Sequence, residues 1–364
     1  MLYIHIPFCK RKCAYCAFYS VASTAKVDDY ITALVTEIKS RANEQQGPLK
    51  TLYIGGGTPS LLAPHHIERI IQAVEQNFDT SQLLECTIEC NPEDLSQEYV
   101  QWLHDTGLFN RISIGVQSFD DNALKRLNRR HTGQQAIDAV WNAYRNGFDN
   151  ISIDLIYGLP QMSNEQWTDT LHNALSLPIN HISAYSLSID EGTIFNVLLK
   201  QGKLFLPTED DVLEQYDTLI DQTAKYGFTQ YEISNFAKSG CESIHNSRYW
   251  RHTPYIGIGA AAHSFSGRIR RWNVANIDTY IDKFAFEEES LTDVDICNET
   301  IMLGLRTNRG ICIKDIPVDW RKYVLQKVER FIDSGLLEKS VDFIKPSRMG
   351  LLQADGIARD LFVS

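Results

Sequence analysis

The sequence is short of positive charge: 35 lysine and arginine residues stand against 46 aspartate and glutamate residues, and the formal net charge is −11. Neutralising nucleic-acid phosphates requires clustered basic side chains, and the basic stretch at residues 125–130 is too short to supply them. No apolar run approaches the length of a membrane span, and no charged-then-apolar leader precedes the first strand-like segment. These absences argue against a nucleic-acid partner, a transmembrane segment and secretion.

The eight cysteines, found without a leader, indicate reduced thiols in the cytoplasm rather than a disulfide framework. Three of them, Cys9, Cys13 and Cys16, have the spacing C-x3-C-x2-C. Thiolates are the ligands of iron–sulfur clusters, and a 4Fe–4S cluster held by only three of them keeps one iron open. The alternatives are a zinc site or three unrelated thiols, but structural zinc sites use four ligands, usually in two separated pairs. The triplet therefore predicts a 4Fe–4S site.

Short β-rich runs alternate with amphipathic helical stretches through the first 230 residues. The predicted strands are residues 2–6, 51–54, 85–90, 111–116, 150–156 and 181–187. Six βα units in series imply an α/β fold with a parallel sheet, here a partial (β/α)6 barrel of the TIM type. We predict that this barrel occupies residues 1–235, a connecting segment residues 236–290, and a small C-terminal domain of winged-helix-like order residues 291–364.

Polar residues collect at the predicted carboxyl ends of these strands, where reactive groups gather in parallel barrels. The run GGGTP at residues 55–59 follows the second strand and would let backbone approach a ligand without a Cβ in the way, although it could also be a tight turn. Glu89 lies on a half-buried strand, where either ribose hydroxyls or an internal salt bridge would satisfy it. Gln117 ends the next strand, and Asp154 is the acidic residue of an otherwise apolar one.

Three segments together resemble a known family: YIHIPFC at residues 3–9, GGGTPS at residues 55–60 and DLIYGLP at residues 154–160. They are similar to the signatures of the oxygen-independent coproporphyrinogen oxidase family of radical S-adenosylmethionine (SAM) proteins, and the resemblance covers nearly the whole chain. It implies that the three cysteines hold a 4Fe–4S cluster whose open iron chelates SAM. It further implies a SAM site formed by Tyr3, Gly56, Gly57, Thr58, Glu89, Gln117, Arg129 and Asp154, of which Arg129 and Tyr3 rest mainly on the resemblance.

Two departures separate this chain from the oxidases of that family. Phe18 stands where the oxidase pattern continues to a fourth cysteine, and only two residues precede Tyr3, where the oxidases carry a substantial N-terminal extension. Both departures resemble the heme-chaperone branch of the family instead.

The same branch carries an HNxxYW motif, present here at residues 245–250. A neutral imidazole is a good ligand for heme iron and aromatic rings can pack on a porphyrin, so His245 is the predicted heme ligand. The alternative is a packed or surface histidine. Cys241, His252 and His263 are weaker candidates.

The resemblance thus predicts a cytoplasmic heme chaperone that binds heme, a 4Fe–4S cluster and SAM. It would deliver heme to apo-acceptors such as respiratory cytochromes, draw on an unidentified electron donor, and could form a homodimer. The first alternative is an enzyme that oxidatively decarboxylates coproporphyrinogen III. The second is a radical SAM enzyme for an unrelated small substrate, in which the HNxxYW segment is merely structural.

Overall fold

The computed structural model describes all 364 residues, which form fifteen strands and fourteen α-helices. The strands are β1 (Leu2–Ile6), β2 (Thr51–Gly56), β3 (Glu85–Cys90), β4 (Arg111–Gln117), β5 (Ile151–Tyr157), β6 (His181–Ser186), β7 (Thr229–Gln230), β8 (Asn235–Ala237), β9 (Ile256–Ile258), β10 (His263–Phe265), β11 (Ile269–Asn273), β12 (Phe286–Ser290), β13 (Ile311–Cys312), β14 (Leu337–Lys339) and β15 (Phe343–Pro346). The helices are α1 (Val27–Arg41), α2 (Pro64–Asn77), α3 (Gln97–Asp105), α4 (Asp121–Arg126), α5 (Gly133–Arg145), α6 (Asn164–Leu175), α7 (Ile194–Lys200), α8 (Glu209–Lys225), α9 (Ile244–Trp250), α10 (Ile277–Lys283), α11 (Asp293–Leu305), α12 (Val318–Asp333), α13 (Arg348–Leu352) and α14 (Ala354–Leu361).

The main sheet has nine strands in the order β7-β8-β6-β5-β4-β3-β2-β1-β9. Strands β1 to β6 pair in parallel, each with the next along the chain. Their isoleucines and leucines are buried almost completely, as expected for strands covered on both faces. The predicted partial α/β barrel is confirmed, and all six predicted strands are present.

The main sheet continues beyond residue 235, into the segment predicted as a connection. Strand β8 pairs antiparallel with β6, and β9 pairs parallel with the free edge of β1. The close approach of the following strand explains a glycine in β9, since a Cβ on Gly257 would lie 1.8 Å from the His263 carbonyl oxygen. The extension was not visible in the sequence because β8 and β9 have only three residues each.

The last 70 or so residues pack around a second, smaller core. Helices α11, α12 and α14 cover a three-stranded sheet in the order β13-β15-β14. Strands β14 and β15 form an antiparallel hairpin, and helix α13 follows it. Arg348 on α13 reaches back to the barrel, donating to Asp221 at 2.8 Å. None of the helices combines the length and the apolar character needed to cross a bilayer.

Glu232, between β7 and β8, is a buried carboxyl group with an unusual pKa. Its side chain is 1% exposed, neither carboxylate oxygen accepts a hydrogen bond of good geometry, and burial raises its pKa from 4.5 to about 7. Below pH 4.5 or so, the carboxyl group is protonated in both the folded and the unfolded protein, and the free energy of unfolding is at its full value. That free energy falls as the pH rises through about 7, because the unfolded chain ionises the group more easily than the folded protein does. The ionised group therefore destabilises the fold at alkaline pH.

We expect Glu232→Gln to raise the free energy of unfolding at pH 8 by as much as about 3 kcal/mol, because the neutral amide avoids burying a charge. The gain should shrink towards zero near pH 4.5. Urea unfolding at both pH values measures it, with the exposed Glu338→Gln as control. An equal gain at the two pH values would contradict the role of ionisation.

Candidate functional site

The loop after β1 carries Cys9, Cys13 and Cys16, and all three thiols are free and partly exposed. Hydrogen bonds fix this loop from two sides: the Ala14 N–H donates to the Leu127 carbonyl at 3.0 Å, and the Ala14 carbonyl accepts from the first turn of α7 at 2.9 Å. The cysteine loop is therefore anchored to elements more than a hundred residues away in sequence. Three thiols on one anchored loop fit a 4Fe–4S cluster with one open iron.

The glycine loop after β2 lies directly beside the cysteine loop. Gly56 has φ +110°, and a Cβ there would lie 2.5 Å from the His5 ring. Gly57 donates its N–H to the Ile6 carbonyl at 2.8 Å, and a Cβ there would lie 3.1 Å from Cys9 Sγ. Thr58 Oγ1 donates to the same sulfur at 3.5 Å. The glycines are therefore required for two loops to approach this closely.

Glu89 joins the glycine loop to the interior of the barrel. Its Oε1 accepts a hydrogen bond from the Tyr53 hydroxyl at 2.7 Å, and its Oε2 accepts from the Gly56 N–H at 3.0 Å. No basic side chain pairs with it, so the internal salt bridge considered for this residue is absent. Burial raises the pKa of Glu89 to about 7, only partly offset by these hydrogen bonds.

Asp154 is a second buried carboxyl group facing the same space. Its Oδ1 accepts from Ser113 Oγ at 3.3 Å, and burial raises its pKa to about 6. Gln117 lies at the end of β4 with φ 67°, where the pairing of β4 with β5 shifts register after Ile114. Irregularities of this kind re-aim side chains next to functional sites, and Gln117 lines the cavity.

Arg129 reaches from the link between α4 and α5 to the cysteine loop. Its Nη1 lies 3.5 Å from Cys13 Sγ, and its Nη2 donates to Asn91 Oδ1 at 2.7 Å and to the Gly115 carbonyl at 2.5 Å. Its Nε has no partner, and no carboxylate lies within salt-bridge distance of the guanidinium. Arg129 is thus a largely buried cation that lacks an anionic partner in the protein.

These residues share one cavity of about 570 Å³ at the carboxyl ends of the barrel strands. The predicted site residues that line it are Cys9, Cys13, Cys16, Gly56, Gly57, Thr58, Glu89, Gln117, Arg129 and Asp154. Phe18 lies at its wall with its side chain 71% exposed. Tyr3 does not line the cavity, and its hydroxyl instead bonds His5 Nδ1 at 2.9 Å. Cys90 is a fourth thiol at the wall, but it comes from β3 and is only 4% exposed.

His245 lies apart from this group, near the amino ends of the strands. It is 1% exposed; its Nδ1 is 2.8 Å from Thr51 Oγ1 and its Nε2 is 3.0 Å from the Tyr249 hydroxyl. Burial lowers its pKa to about 3, which keeps the ring neutral. Glu85, at the start of β3, accepts the backbone N–H groups of Ile244 and His245, both at 2.8 Å, and so holds α9 against the barrel.

Asn91 is a site residue that sequence reasoning missed. Its amide connects the two halves of the cavity, because Oδ1 accepts from Arg129 while Nδ2 donates to Thr58 Oγ1 at 3.3 Å. Its position directly after the last residue of β3 was the available signal, since that places it at the same edge as Glu89. Tyr185, near the end of β6, and Asp190, which follows that strand, also line the cavity and were not predicted.

Comparison with known families identifies the class of protein to which this fold and cavity belong. Residues 3–174 match the model of the radical SAM superfamily, and residues 291–352 match that of the HemN C-terminal domain. Coproporphyrinogen III oxidase (HemN) from Escherichia coli, a radical SAM enzyme, superposes with a TM-score of 0.85 over 100% of this chain and 89% of that one, at 24% identity. The fold is therefore that of radical SAM proteins, whose cofactors are a 4Fe–4S cluster and SAM.

Relatives found by sequence similarity identify one family within this class. The chain is 39% identical to the heme chaperone HemW of Lactococcus lactis subsp. lactis (strain IL1403), covering 86% of this chain and 83% of that protein. It is 38% identical to HemW of Bacillus subtilis (strain 168), covering 86% and 84%, and 30% identical to HemW of Mycobacterium tuberculosis (strain ATCC 25618 / H37Rv), covering 99% and 94%. The chain belongs to the HemW family.

Proposed function

We propose that this protein is a heme chaperone that binds heme, a 4Fe–4S cluster and SAM and passes heme to apo-proteins. The observation that carries the proposal is the 38–39% identity to HemW proteins named as heme chaperones, over 86% of the chain. The likeness to coproporphyrinogen III oxidase, at 24% identity, bears on the fold alone.

In this proposal Cys9, Cys13 and Cys16 hold the cluster. Support comes from their position on one anchored loop and their common cavity. With SAM bound, the cluster would supply the electron for reductive cleavage of SAM into methionine and a carbon radical.

Five other residues of the cavity would contact SAM directly. Arg129, beside Cys13 and without an anionic partner, would pair with the methionine carboxylate. The backbone of Gly56 and Gly57 would receive the methionine amino group at the closest approach of the two loops. Asp154, a buried carboxyl group, would accept hydrogen bonds from the ribose hydroxyls, with Gln117 beside it.

Glu89 and Tyr3 act in this proposal one step further from the ligand. Glu89 accepts the Gly56 N–H and so fixes the glycine loop, with its other oxygen bonded to Tyr53. Tyr3 bonds His5, whose ring underlies Gly56, and thereby supports the same loop. Both are positioning residues for the SAM site.

His245 remains our predicted ligand of heme iron, but its present hydrogen bonds would have to change before it could bind iron. Both ring nitrogens have partners, Thr51 and Tyr249, and the side chain is buried. To bind iron it would have to give up one of these hydrogen bonds, and α9 would have to move away from β2. Ligation by His245 therefore implies a second position of α9.

Further parts of the proposal rest on the same family membership. We propose a cytoplasmic location, heme-accepting apo-proteins such as respiratory cytochromes, a separate electron donor and a homodimer in at least one state of the cycle. We also propose residues 1–235, 236–290 and 291–364 as barrel, connecting and C-terminal units. The second core supports the last boundary, while β8 and β9 tie the connecting unit firmly to the barrel sheet.

One anaerobic experiment tests the function. The cluster is reconstituted, and the protein receives SAM and a reductant with either heme or coproporphyrinogen III. We expect a stable heme complex with a Soret band and no formation of protoporphyrinogen. Conversion of coproporphyrinogen III to protoporphyrinogen would replace the chaperone proposal with the oxidase alternative.

The same Soret measurement on His245→Gln reports on the heme ligand. Glutamine can keep the hydrogen bond to Thr51 but does not offer an imidazole to iron. A shifted or lost Soret band, with exposed His172→Gln unchanged, is expected. An unaltered spectrum would remove His245 as the ligand while leaving heme binding intact.

A further inference from the structure

A second cavity, of about 430 Å³, lies between α9 and the C-terminal unit. One wall is the helix that carries the HNxxYW motif, including Ser247, Arg248 and Trp250. The other wall is the turn of residues 307–310, between α11 and β13. Its volume is in the range of sites for small molecules. No part of the SAM cavity overlaps with it.

The cavity is positively charged in a protein of net charge −11. Arg248, Arg251 and Arg309 line it against a single carboxylate, Glu242. None of the three arginines forms a salt bridge, whereas the neighbouring Arg306 pairs with Asp355 at 2.6 Å. Three arginines without carboxylate partners therefore line one cavity, and an anionic ligand would complement their charge.

Hydrogen bonds join the two walls of the cavity and hold the turn that carries Arg309 in place. The Asn308 N–H donates to the Tyr231 carbonyl at 3.1 Å, and its side-chain amide donates to the Gln230 carbonyl at 3.3 Å. Gly310 has φ +79°, and a Cβ there would lie 2.2 Å from the Ile344 carbonyl oxygen. The turn that presents Arg309 is thus fixed from both sides.

An aromatic residue completes the cavity wall, because Trp250 lines it together with the arginines. Aromatic faces favour a flat, apolar ligand body, and unpaired guanidinium groups favour carboxylates at its edge. We propose that this cavity binds heme by its propionate edge. The inference rests on the proposed heme-chaperone function and specifies where the carboxylates of that ligand are held.

This placement separates two roles within the HNxxYW motif. His245 points towards Thr51 inside the barrel, whereas Arg248 and Trp250 of the same helix line the cavity. Heme could therefore bind through its carboxylates while His245 keeps its present hydrogen bonds. The site should accept iron-free protoporphyrin IX as well as heme, because neither arginine nor tryptophan ligates iron.

The test uses the cluster-loaded full chain and compares wild type with the double variant Arg248→Gln/Arg309→Gln. We expect the dissociation constant for heme, and for iron-free protoporphyrin IX, to rise by at least roughly tenfold. Arg145→Gln is a matched control, because Arg145 lies 5.4 Å over the Trp141 ring much as Arg309 lies 5.6 Å over Phe343. With heme dimethyl ester, wild type and double variant should bind equally.

The outcomes separate this site from the function on which it rests. If wild type binds heme and the double variant binds it equally well, the site is wrong and heme binding stands. If the loss is the same with the dimethyl ester, the arginines do not recognise carboxylates and the proposal fails. If millimolar inorganic phosphate displaces heme, and the double variant loses phosphate binding but not porphyrin binding, the cavity is a general anion site and the proposal fails. If wild type binds no heme, the proposed function itself is overturned.

Discussion

Replacement of Cys13 by serine should leave the protein with almost no 4Fe–4S cluster. A hydroxyl is a poor substitute for a thiolate, and with only three cysteines on the loop no spare ligand can take over. We expect iron content to fall from about four per chain to less than roughly one in ten of that value. Iron and sulfide analysis after anaerobic reconstitution measures the loss, together with the cluster's visible absorbance.

The chain offers controls for each competing explanation. Cys241→Ser changes a partly exposed thiol away from the cavity and should keep the full cluster. Cys90→Ala removes the fourth thiol at the cavity wall and should also keep it, because Cys90 is buried in the core. Full cluster content in Cys13→Ser, or its loss in Cys90→Ala, would require a different ligand set.

Arg129→Gln should weaken SAM binding while the cluster is retained. The guanidinium lies beside Cys13 and has no carboxylate partner in the protein, so its loss removes a charge-assisted hydrogen bond to the ligand. Such bonds contribute about 1.5–3 kcal/mol, equivalent to roughly 10- to 150-fold in the dissociation constant. Equilibrium binding of SAM to the reduced, cluster-loaded protein measures the change.

The adjacent arginine is the natural control. Arg130 is exposed and lies 3.7 Å from Glu93, outside the cavity, so Arg130→Gln should bind SAM like wild type. Because Arg129 also contacts Cys13, iron analysis must accompany each titration. Unchanged SAM affinity in cluster-replete Arg129→Gln would refute its pairing with the SAM carboxylate.

The barrel could be predicted from the sequence because its strands are long enough to give a recognisable pattern of apolar residues. Runs such as residues 111–116 and 150–156 are nearly continuous and apolar, and in the structure they are β4 and β5, buried on both faces. Most of the site could then be predicted as well, because the carboxyl ends of parallel strands lie at one edge of the sheet and reactive groups gather there. Ten of the twelve predicted site residues line one cavity; Tyr3 and His245 do not.

The remainder depended on contacts that no local pattern encodes. The sequence indicated the HNxxYW motif around His245, but not that Glu85, some 160 residues away, would hold the backbone of α9. The histidine's burial follows from that distant carboxylate and from Thr51. Likewise, the cationic cavity is assembled from α9 and a turn after α11, and neither part is distinctive on its own.

The pairing of β9 with β1 has a consequence for synthesis of the chain. Leu2 pairs with Leu52 on one side, but its neighbour on the other side, Ile256, is made only after most of the barrel has been synthesised. Until then one edge of β1 stays unpaired, although this strand carries the cysteine loop. Contacts of such long sequence separation slow folding. A nascent chain can therefore present its cysteines long before the strand beneath them is locked, which leaves an interval for cluster insertion before the sheet closes.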